Sequence, residues 1–242
     1  ESRGLGDVYK RQIMNICIIP ARGGSKRIPG KNIKDFNGKP IISYSIEAAI
    51  ESNCFDRIIV STDDKEIMKV ANNLGAETPF IRPKELSNDF TPTNPVINHA
   101  IEWVKKNDQL PEYVLCLYAT APFVDKYAIQ DSLKQLVQSK LDYCFTVTNF
   151  SFPIKRALKI NSNNALEMLY PEHYLTRSQD LEEAFHDAGQ FYWGRTHAFL
   201  NEYKMFSEVS SPYMLPSYKV QDIDTQDDWI RAELMHKALK IF

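Results

Sequence analysis

The chain has 242 residues, enough for one large α/β domain with a small appendage. Its 29 basic and 31 acidic residues nearly balance, so the composition does not indicate a nucleic-acid-binding surface. No apolar run approaches the roughly 18 residues of a membrane-spanning helix, and no signal-peptide pattern is present.

The first thirteen residues, ESRGLGDVYKRQI, are polar and glycine-containing and differ from the rest of the chain. Met14 directly precedes the first apolar run, so we expect the natural start there and interpret residues 1–13 as a non-native or disordered leader. Residues 14–242 are then expected to form a single domain.

The opening stretch of this domain combines a strand, a basic loop and a helix. The apolar run 16–19 predicts a buried strand, which ends at Pro20 in a loop with three glycines and four cations. Residues 41–50 then follow helical spacing. Glycines let backbone N–H groups approach an anion, and Arg and Lys add charge-assisted hydrogen bonds, so the arrangement favours a polyphosphate site over an ordinary solvated loop.

The next segments alternate in type. Residues 57–62 predict a second buried strand, and 64–74 a helix for which Thr62 and Asp63 are good N-cap types. Residues 78–82 predict a third short strand. This alternation indicates a mainly parallel sheet, whose ligands bind at the carboxyl ends of the strands. The opening loop, Thr62-Asp63 and Arg82 should therefore share one rim.

The second half continues with a helix at 94–106, a strand at 113–118, a helix at 128–138 and a strand at 143–148. Residues 149–184 have weak periodicity, and a long irregular stretch of this kind argues for a functional or partner-facing excursion. The four cysteines are far apart and have no CxxC spacing, so we expect free thiols in a reducing cytoplasm.

Two carboxylates stand near the end of the chain. Asp222 and Asp224 alternate along an extended segment and should face the same side, where they could hold a hard divalent cation. Thr225 and Asp228 then predict a capping box for a helix at 229–241. An acidic region that only complements the helix dipole would account for Asp224 but not for Asp222. The apolar stripe expected to pack inward comprises Ile230, Leu234, Ala238 and Ile241.

The loop IPARGGSKRIPGKN lacks the GxxxxGK[ST] and GxGxxG patterns, but it closely resembles the opening loop of the CMP-sialic acid synthetase (acylneuraminate cytidylyltransferase) family. The segment RPKEL and the sequence DIDT also match this family. The resemblance covers residues 14–242 and implies a Rossmann-like three-layer α/β nucleotidyltransferase fold. It further implies CTP as co-substrate, Mg²⁺ as cofactor, and a homodimer formed through the excursion at 149–184.

The resemblance assigns roles to individual residues. Catalysis is implied for Arg22, Lys31, Asp222 and Asp224, of which the two aspartates would carry Mg²⁺. Asn32, Arg82 and Thr93 would border cytosine and ribose, although Thr93 could also cap its helix. The full set implied for CTP is Ala21, Arg22, Gly23, Gly24, Ser25, Lys26, Lys31, Asn32, Arg82 and Thr93.

Two departures from the sialic acid pattern resemble the pseudaminic acid branch of the family. Tyr118, in YATAPF, stands where a glutamine is typical, and HDAG replaces Arg-Pro-Asn-Gly. An aromatic and small apolar groups suit a nonulosonic acid with deoxy or methyl positions. The residues implied for the sugar are Tyr118, Thr120, His186, Asp187 and Gln190, with Lys155, Arg156 and Arg177 as further candidates for anion contacts.

Adjacent residues in an extended segment point to opposite faces, so His186 and Asp187 do not form a catalytic dyad. Enzymes for N-acetylneuraminate, legionaminate or 3-deoxy-octulosonate remain alternatives, as does a non-catalytic nucleotide-sugar binding protein. The intact basic loop and both aspartates argue against the last of these.

Overall fold

The structure is a computed structural model that describes residues 13–241; the expected leader lies outside the described residues except for residue 13. Its strands are β1 (Asn15–Pro20), β2 (Asp35–Phe36), β3 (Lys39–Pro40), β4 (Arg57–Ser61), β5 (Tyr113–Leu117), β6 (Tyr143–Asn149), β7 (Leu158–Ile160), β8 (Leu166–Met168), β9 (Phe185–Arg195) and β10 (Ser210–Met214). Its α-helices are α1 (Ile42–Ser52), α2 (Lys65–Asn73), α3 (Thr93–Asn107), α4 (Lys126–Gln138), α5 (Thr196–Leu200) and α6 (Gln226–Leu239).

Six strands form one sheet in the order β10-β6-β9-β5-β1-β4. Strand β1 pairs in parallel with β4 and β5, and β10 pairs in parallel with β6, whereas β9 runs antiparallel between β5 and β6. The prediction of a mainly parallel sheet is confirmed. Because parallel strands end at the same edge, the segments that follow β1, β4 and β5 meet on one rim.

Helices cover both faces of the sheet. Cys17 and Ile19 of β1 are buried with α1, α2 and α4 on one face, and Ile16 and Ile18 are buried with α3 and α5 on the other. This alternation follows from the two-residue period of a strand, which sends successive side chains to opposite faces. The expected three-layer α/β fold is confirmed.

The expected strand at 78–82 is wrong. The pairing with β4 is a single bridge between Glu77 and Ile59, which lies just before this segment. Pro79 has no N–H to continue the ladder, and the chain leaves the edge of the sheet. It returns at Arg82, whose N–H donates to Thr62 O at 2.8 Å, so Arg82 still reaches the expected rim.

The expected buried stripe of α6 is also wrong. Ile230 is 49% exposed and Leu234 is 62% exposed, whereas the buried residues are Trp229, Ala232 and His236. These pack against the opening loop and the β2–β3 hairpin, with Ile28, Phe36 and Ile41 in the same cluster. The helix therefore joins the C-terminal carboxylates to the opening loop.

His236 is the polar member of this cluster. The amide nitrogen of Asn37 donates to its Nδ1 at 3.1 Å, and the rings of Phe36, Tyr44 and Phe123 surround it. Burial, with Lys240 and Lys39 nearby, lowers the pKa of His236. The neutral imidazole is the form that accepts from Asn37.

Residues 150–184 contain few buried side chains. The β7–β8 hairpin and three short 3₁₀ turns carry exposed apolar groups, including Phe152 at 83% and Leu175 at 89%.

All four cysteines are free, and no helix within residues 13–241 is long and apolar enough to cross a membrane.

Candidate active site

The basic loop leaves β1 and is anchored to the end of β4. Ala21 N–H donates to Ser61 O at 2.9 Å, and Gly23 N–H donates to Asp63 Oδ1 at 3.0 Å. The side-chain amide of Asn32 donates to Arg22 O at 2.9 Å and closes the loop on itself. These bonds hold the loop at the carboxyl ends of β1 and β4, the rim expected from the sequence.

A cleft of about 560 Å³ opens along this rim. Segments distant in sequence contribute to its wall: the basic loop, the segment after Arg82, the start of α3, the exit of β5 and the segment before α6. The expected site residues that line it are Arg22, Ser25, Lys26, Lys31, Asn32, Arg82, Thr93, Tyr118, Thr120 and Asp224. Most of the residues assigned to CTP are thus brought together.

Carboxylates from two other segments pair with the cations of the loop. Asp89 contacts Arg22 Nη1 and Lys26 Nζ, each at 2.5 Å. Hydrogen bonds from Lys26 and then Arg22 lower the pKa of Asp89. Asp224 Oδ1 lies 3.0 Å from Arg27 Nη2 and 3.5 Å from Lys31 Nζ. Two carboxylates thus pair with the four cations of the loop, so the cleft keeps an excess of positive charge.

Arg82 is a buried cation at the wall of this cleft. Its Nη2 donates to Ser61 O, whereas its buried Nε has no hydrogen-bond partner within the described residues. Burial is the main cause that lowers its pKa to about 10, although nearby Asp63 acts in the opposite direction. A buried donor without an acceptor is costly, which fits a ligand that supplies an acceptor here.

Asp222 and Asp224 precede α6, which begins at a complete capping box between Thr225 and Asp228, as predicted. Burial of the carboxyl and the charge of Asp224 raise the pKa of Asp222. No group of three or more His, Cys, Asp or Glu suited to a metal lies within residues 13–241. These two carboxylates fit Mg²⁺, because Mg²⁺ commonly binds one or two protein carboxylates together with waters and substrate phosphates.

A second cleft, of about 240 Å³, adjoins the first and shares Thr93 and Tyr118 with it. Its wall is mostly apolar and includes Ile97, Phe199, Met205 and Phe206. Tyr118 Oη lies 3.4 Å from Thr93 Oγ1, so the Thr93 hydroxyl contacts Tyr118 and makes no capping hydrogen bond to α3.

The carboxylate in this second cleft is that of Asp187. It accepts hydrogen bonds from the hydroxyl of Tyr192 and from Gly189 N–H, the latter at 2.9 Å. The residues that line the cleft include no Lys or Arg. Apolar groups and hydrogen-bond donors therefore fit this cleft better than anions do.

Several residues expected at the site do not line either cleft. Ala21 is buried, and Gly23, Gly24 and Asp222 are not among the residues that line the clefts. His186 contacts the ring of Phe150, and buried Gln190 donates to Lys219 O at 2.6 Å. The excursion candidates Lys155, Arg156 and Arg177 bind neighbouring groups there, namely Glu182, two backbone carbonyls and Asp180. Their assignments stay predictions.

The structure also adds residues that the sequence did not single out for the site. Arg27 and Asp89 line the larger cleft, and Tyr192 lines the smaller one. Arg27 was visible as one of the four cations of the loop. Asp89 follows the RPKEL segment, and Tyr192 lies in an aromatic strand, but nothing local to either residue indicates its partner.

The α2 helix is capped by Asp64, whose Oδ1 accepts from Glu66 N–H at 2.7 Å and from Ile67 N–H at 3.0 Å. The interpretation of Thr62 or Asp63 as the cap is therefore wrong. Asp63 instead binds the basic loop, because its side chain points across the rim to Gly23 N–H. Asp63 therefore anchors the basic loop, and Asp64 caps α2.

Comparison with known proteins gives the family. Residues 16–240 match the family model described as Cytidylyltransferase. The chain is 47% identical over 224 residues to the pseudaminic acid cytidylyltransferase of Campylobacter jejuni, covering 93% of this chain and 97% of that protein. It is 33% identical to the CMP-N,N'-diacetyllegionaminic acid synthase of Legionella pneumophila, covering 90% and 94%.

A solved structure of CMP:2-keto-3-deoxy-manno-octonic acid synthetase complexed with CTP superposes with a TM-score of 0.67. It covers 93% of this chain and 99% of that one at 16% identity, so this likeness bears on the fold alone. The family model and the two sequence relatives extend over nearly the whole chain. The chain belongs to the cytidylyltransferase family.

Proposed function

We propose that this protein transfers CMP from CTP to the anomeric hydroxyl of a nonulosonic acid and releases pyrophosphate. The proposed acid is pseudaminic acid. The observation that carries the proposal is the convergence of the basic loop, Arg82 and Asp224 on one cleft of about 560 Å³. A mostly apolar cleft with a carboxylate adjoins it. The 47% identity to a pseudaminic acid cytidylyltransferase supports the choice of sugar.

In this proposal the sugar oxygen attacks the α-phosphorus, and the bond to the bridging oxygen of the leaving pyrophosphate breaks. Arg22, Lys26 and Lys31 hold the triphosphate and stabilise the negative charge on the leaving group. Arg82 and Thr93 border the base and ribose, where the free Nε of Arg82 donates to the nucleotide. The protein positions the reactants and stabilises charge, with no covalent enzyme intermediate.

Asp222 and Asp224 would hold Mg²⁺, which would neutralise phosphate charge and make the attacking hydroxyl more acidic. Asp224 lines the larger cleft beside Arg27 and Lys31, which supports this role. On the sugar side, Tyr118 stands between the two clefts, and Asp187 accepts from donors of the sugar. Thr120 lines the larger cleft.

The test is pyrophosphate release with CTP and Mg²⁺, comparing pseudaminic, N-acetylneuraminic and legionaminic acids. We expect turnover with pseudaminic acid and loss of turnover in Asp224→Asn. Asp227→Asn is the matched control, because it also removes one negative charge. Asp227 lies in the first turn of α6 and does not line the cleft. Preference for another acid would overturn the sugar assignment, and CTP binding without turnover of any of the three would favour the binding-protein alternative.

We also propose a cytoplasmic homodimer formed through residues 149–184, within a single domain that spans residues 14–242. The exposed apolar side chains of this segment, such as Phe152, Leu175 and Ile160, support the proposal, since an interface would remove them from water. Free cysteines fit a reducing compartment. Sedimentation should then show the wild type as a dimer and Leu175→Asp shifted towards the monomer. Equal masses for the wild type and the variant would contradict this interface.

A further inference from the structure

Arg27 is a cation of the basic loop that differs from Arg22 and Lys26 in its partner. Its Nη2 lies 3.0 Å from Asp224 Oδ1, whereas Arg22 and Lys26 both contact Asp89. Arg27 lines the larger cleft, in which the proposed triphosphate would bind. The loop therefore presents one pair of cations on Asp89 and a second pair, Arg27 and Lys31, on Asp224.

The two cations on Asp224 are held to different degrees. Lys31 is 19% exposed, and its Nζ also donates to Ile223 O at 2.6 Å, so a second bond fixes its position. The side chain of Arg27 is 67% exposed and has the ion pair with Asp224 as its described polar contact. An exposed single ion pair contributes little to stability, so Arg27 can change partner at low cost.

The carboxylate that binds Arg27 is also one that the proposed divalent cation requires. A divalent cation at Asp224 would compete with the nearby guanidinium for the same carboxylate, since like charges repel. Once displaced, a guanidinium with its planar set of donors is well suited to phosphate oxygens.

We propose that Arg27 is a further triphosphate-binding residue, held by Asp224 in the free protein and released to the triphosphate when a divalent cation takes Asp224. The inference rests on the proposed function of the cleft. It makes metal and nucleotide binding mutually dependent, because each ligand favours the arrangement that the other needs, and this coupling is reciprocal.

The test uses Arg27→Gln with Lys34→Gln as the matched control. Lys34 lies in the same loop region, but its Nζ contacts Gln226 Oε1 at 3.3 Å and the Trp229 ring, outside the cleft. Three affinities are measured on each protein: Mn²⁺ alone by electron paramagnetic resonance, CTP in EDTA by calorimetry, and CTP with saturating Mg²⁺ by calorimetry. Circular dichroism checks that each variant is folded.

For Arg27→Gln we expect Mn²⁺ to bind roughly two- to fivefold more tightly, because a competing cation is gone. CTP in EDTA should bind within about twofold of the wild type, because Arg27 is then engaged by Asp224. CTP with Mg²⁺ should bind roughly three- to tenfold more weakly, because the released guanidinium is missing. Lys34→Gln should leave all three affinities unchanged.

Equal weakening of CTP with and without Mg²⁺ would overturn the exchange, since Arg27 would then act only through its fixed charge. Unchanged CTP affinity in both conditions would overturn its role as a ligand. If the wild-type protein itself binds no CTP in either condition, the proposed function fails, and this inference fails with it. The wild-type control therefore separates the two failures.

Discussion

Replacement of Gly23 by alanine should damage two elements at once. A Cβ added at Gly23 would lie 2.6 Å from Oδ2 of Asp64 and 2.8 Å from its Cβ. A flexible carboxylate could rotate away, but the Cβ of Asp64 is fixed by the backbone. The basic loop and the start of α2 must therefore separate.

The expected cost follows from the contacts that this separation breaks. The carboxylate of Asp64 caps α2 through the N–H groups of Glu66 and Ile67, and loss of such a cap costs about 1 kcal/mol. Displacement of Gly23 also strains its hydrogen bond to Asp63, which contributes up to about 1 kcal/mol. We expect the free energy of unfolding to fall by about 1–2 kcal/mol and Tm to fall by about 2–8 °C.

Urea unfolding and calorimetric CTP binding would be measured on Gly23→Ala and on the control Gly24→Ala. A Cβ at Gly24 meets no atom within 4 Å, so that variant should keep the wild-type stability or gain slightly. In an Asp64→Gly background, which removes the obstructing side chain, Gly23→Ala should cost much less. An equal cost in both backgrounds would refute the steric argument.

Three further predictions concern the cleft and α6. Thr225→Ala should lower the free energy of unfolding by about 1 kcal/mol in urea titrations, because the capping box is lost, and Thr225→Ser should not. Arg82→Lys should weaken CTP binding about tenfold in calorimetry, since an ammonium cannot reproduce the planar donors; wild-type affinity would contradict the assignment. The pKa of His236 is lowered in the folded protein, so the stability it contributes is complete above about pH 6.5 and is lost as pH falls towards the folded pKa. The urea midpoint should therefore fall on acidification less steeply in His236→Gln than in the wild type.

Local patterns in the sequence were sufficient for much of the fold. The apolar run of β1, the glycines and cations that follow it, and the capping box at Thr225 each involve neighbouring residues, so spacing and residue type identify them. The common rim of the opening loop and Arg82 also follows from the sequence, because parallel strands end at the same edge. Most of the predicted CTP residues line the cleft for this reason.

Tertiary structure decided the remaining features, because each depends on which surfaces meet. Helix α6 has apolar residues on two faces, and the aromatic cluster around Phe36 selects the face of Trp229 rather than that of Ile230. The expected strand at 78–82 failed because Pro79 cannot donate to the ladder at the sheet edge.

Long-range charge pairing is the clearest case of this kind. Arg27 and Arg22 lie in one loop, yet Asp224 binds the first and Asp89 binds the second. Nothing in the spacing of the loop distinguishes these partners, since the acids come from segments that only the folded sheet brings to the rim. The sequence by itself therefore determined the chemistry of the cleft, and the packing of distant segments decided which charges meet within it.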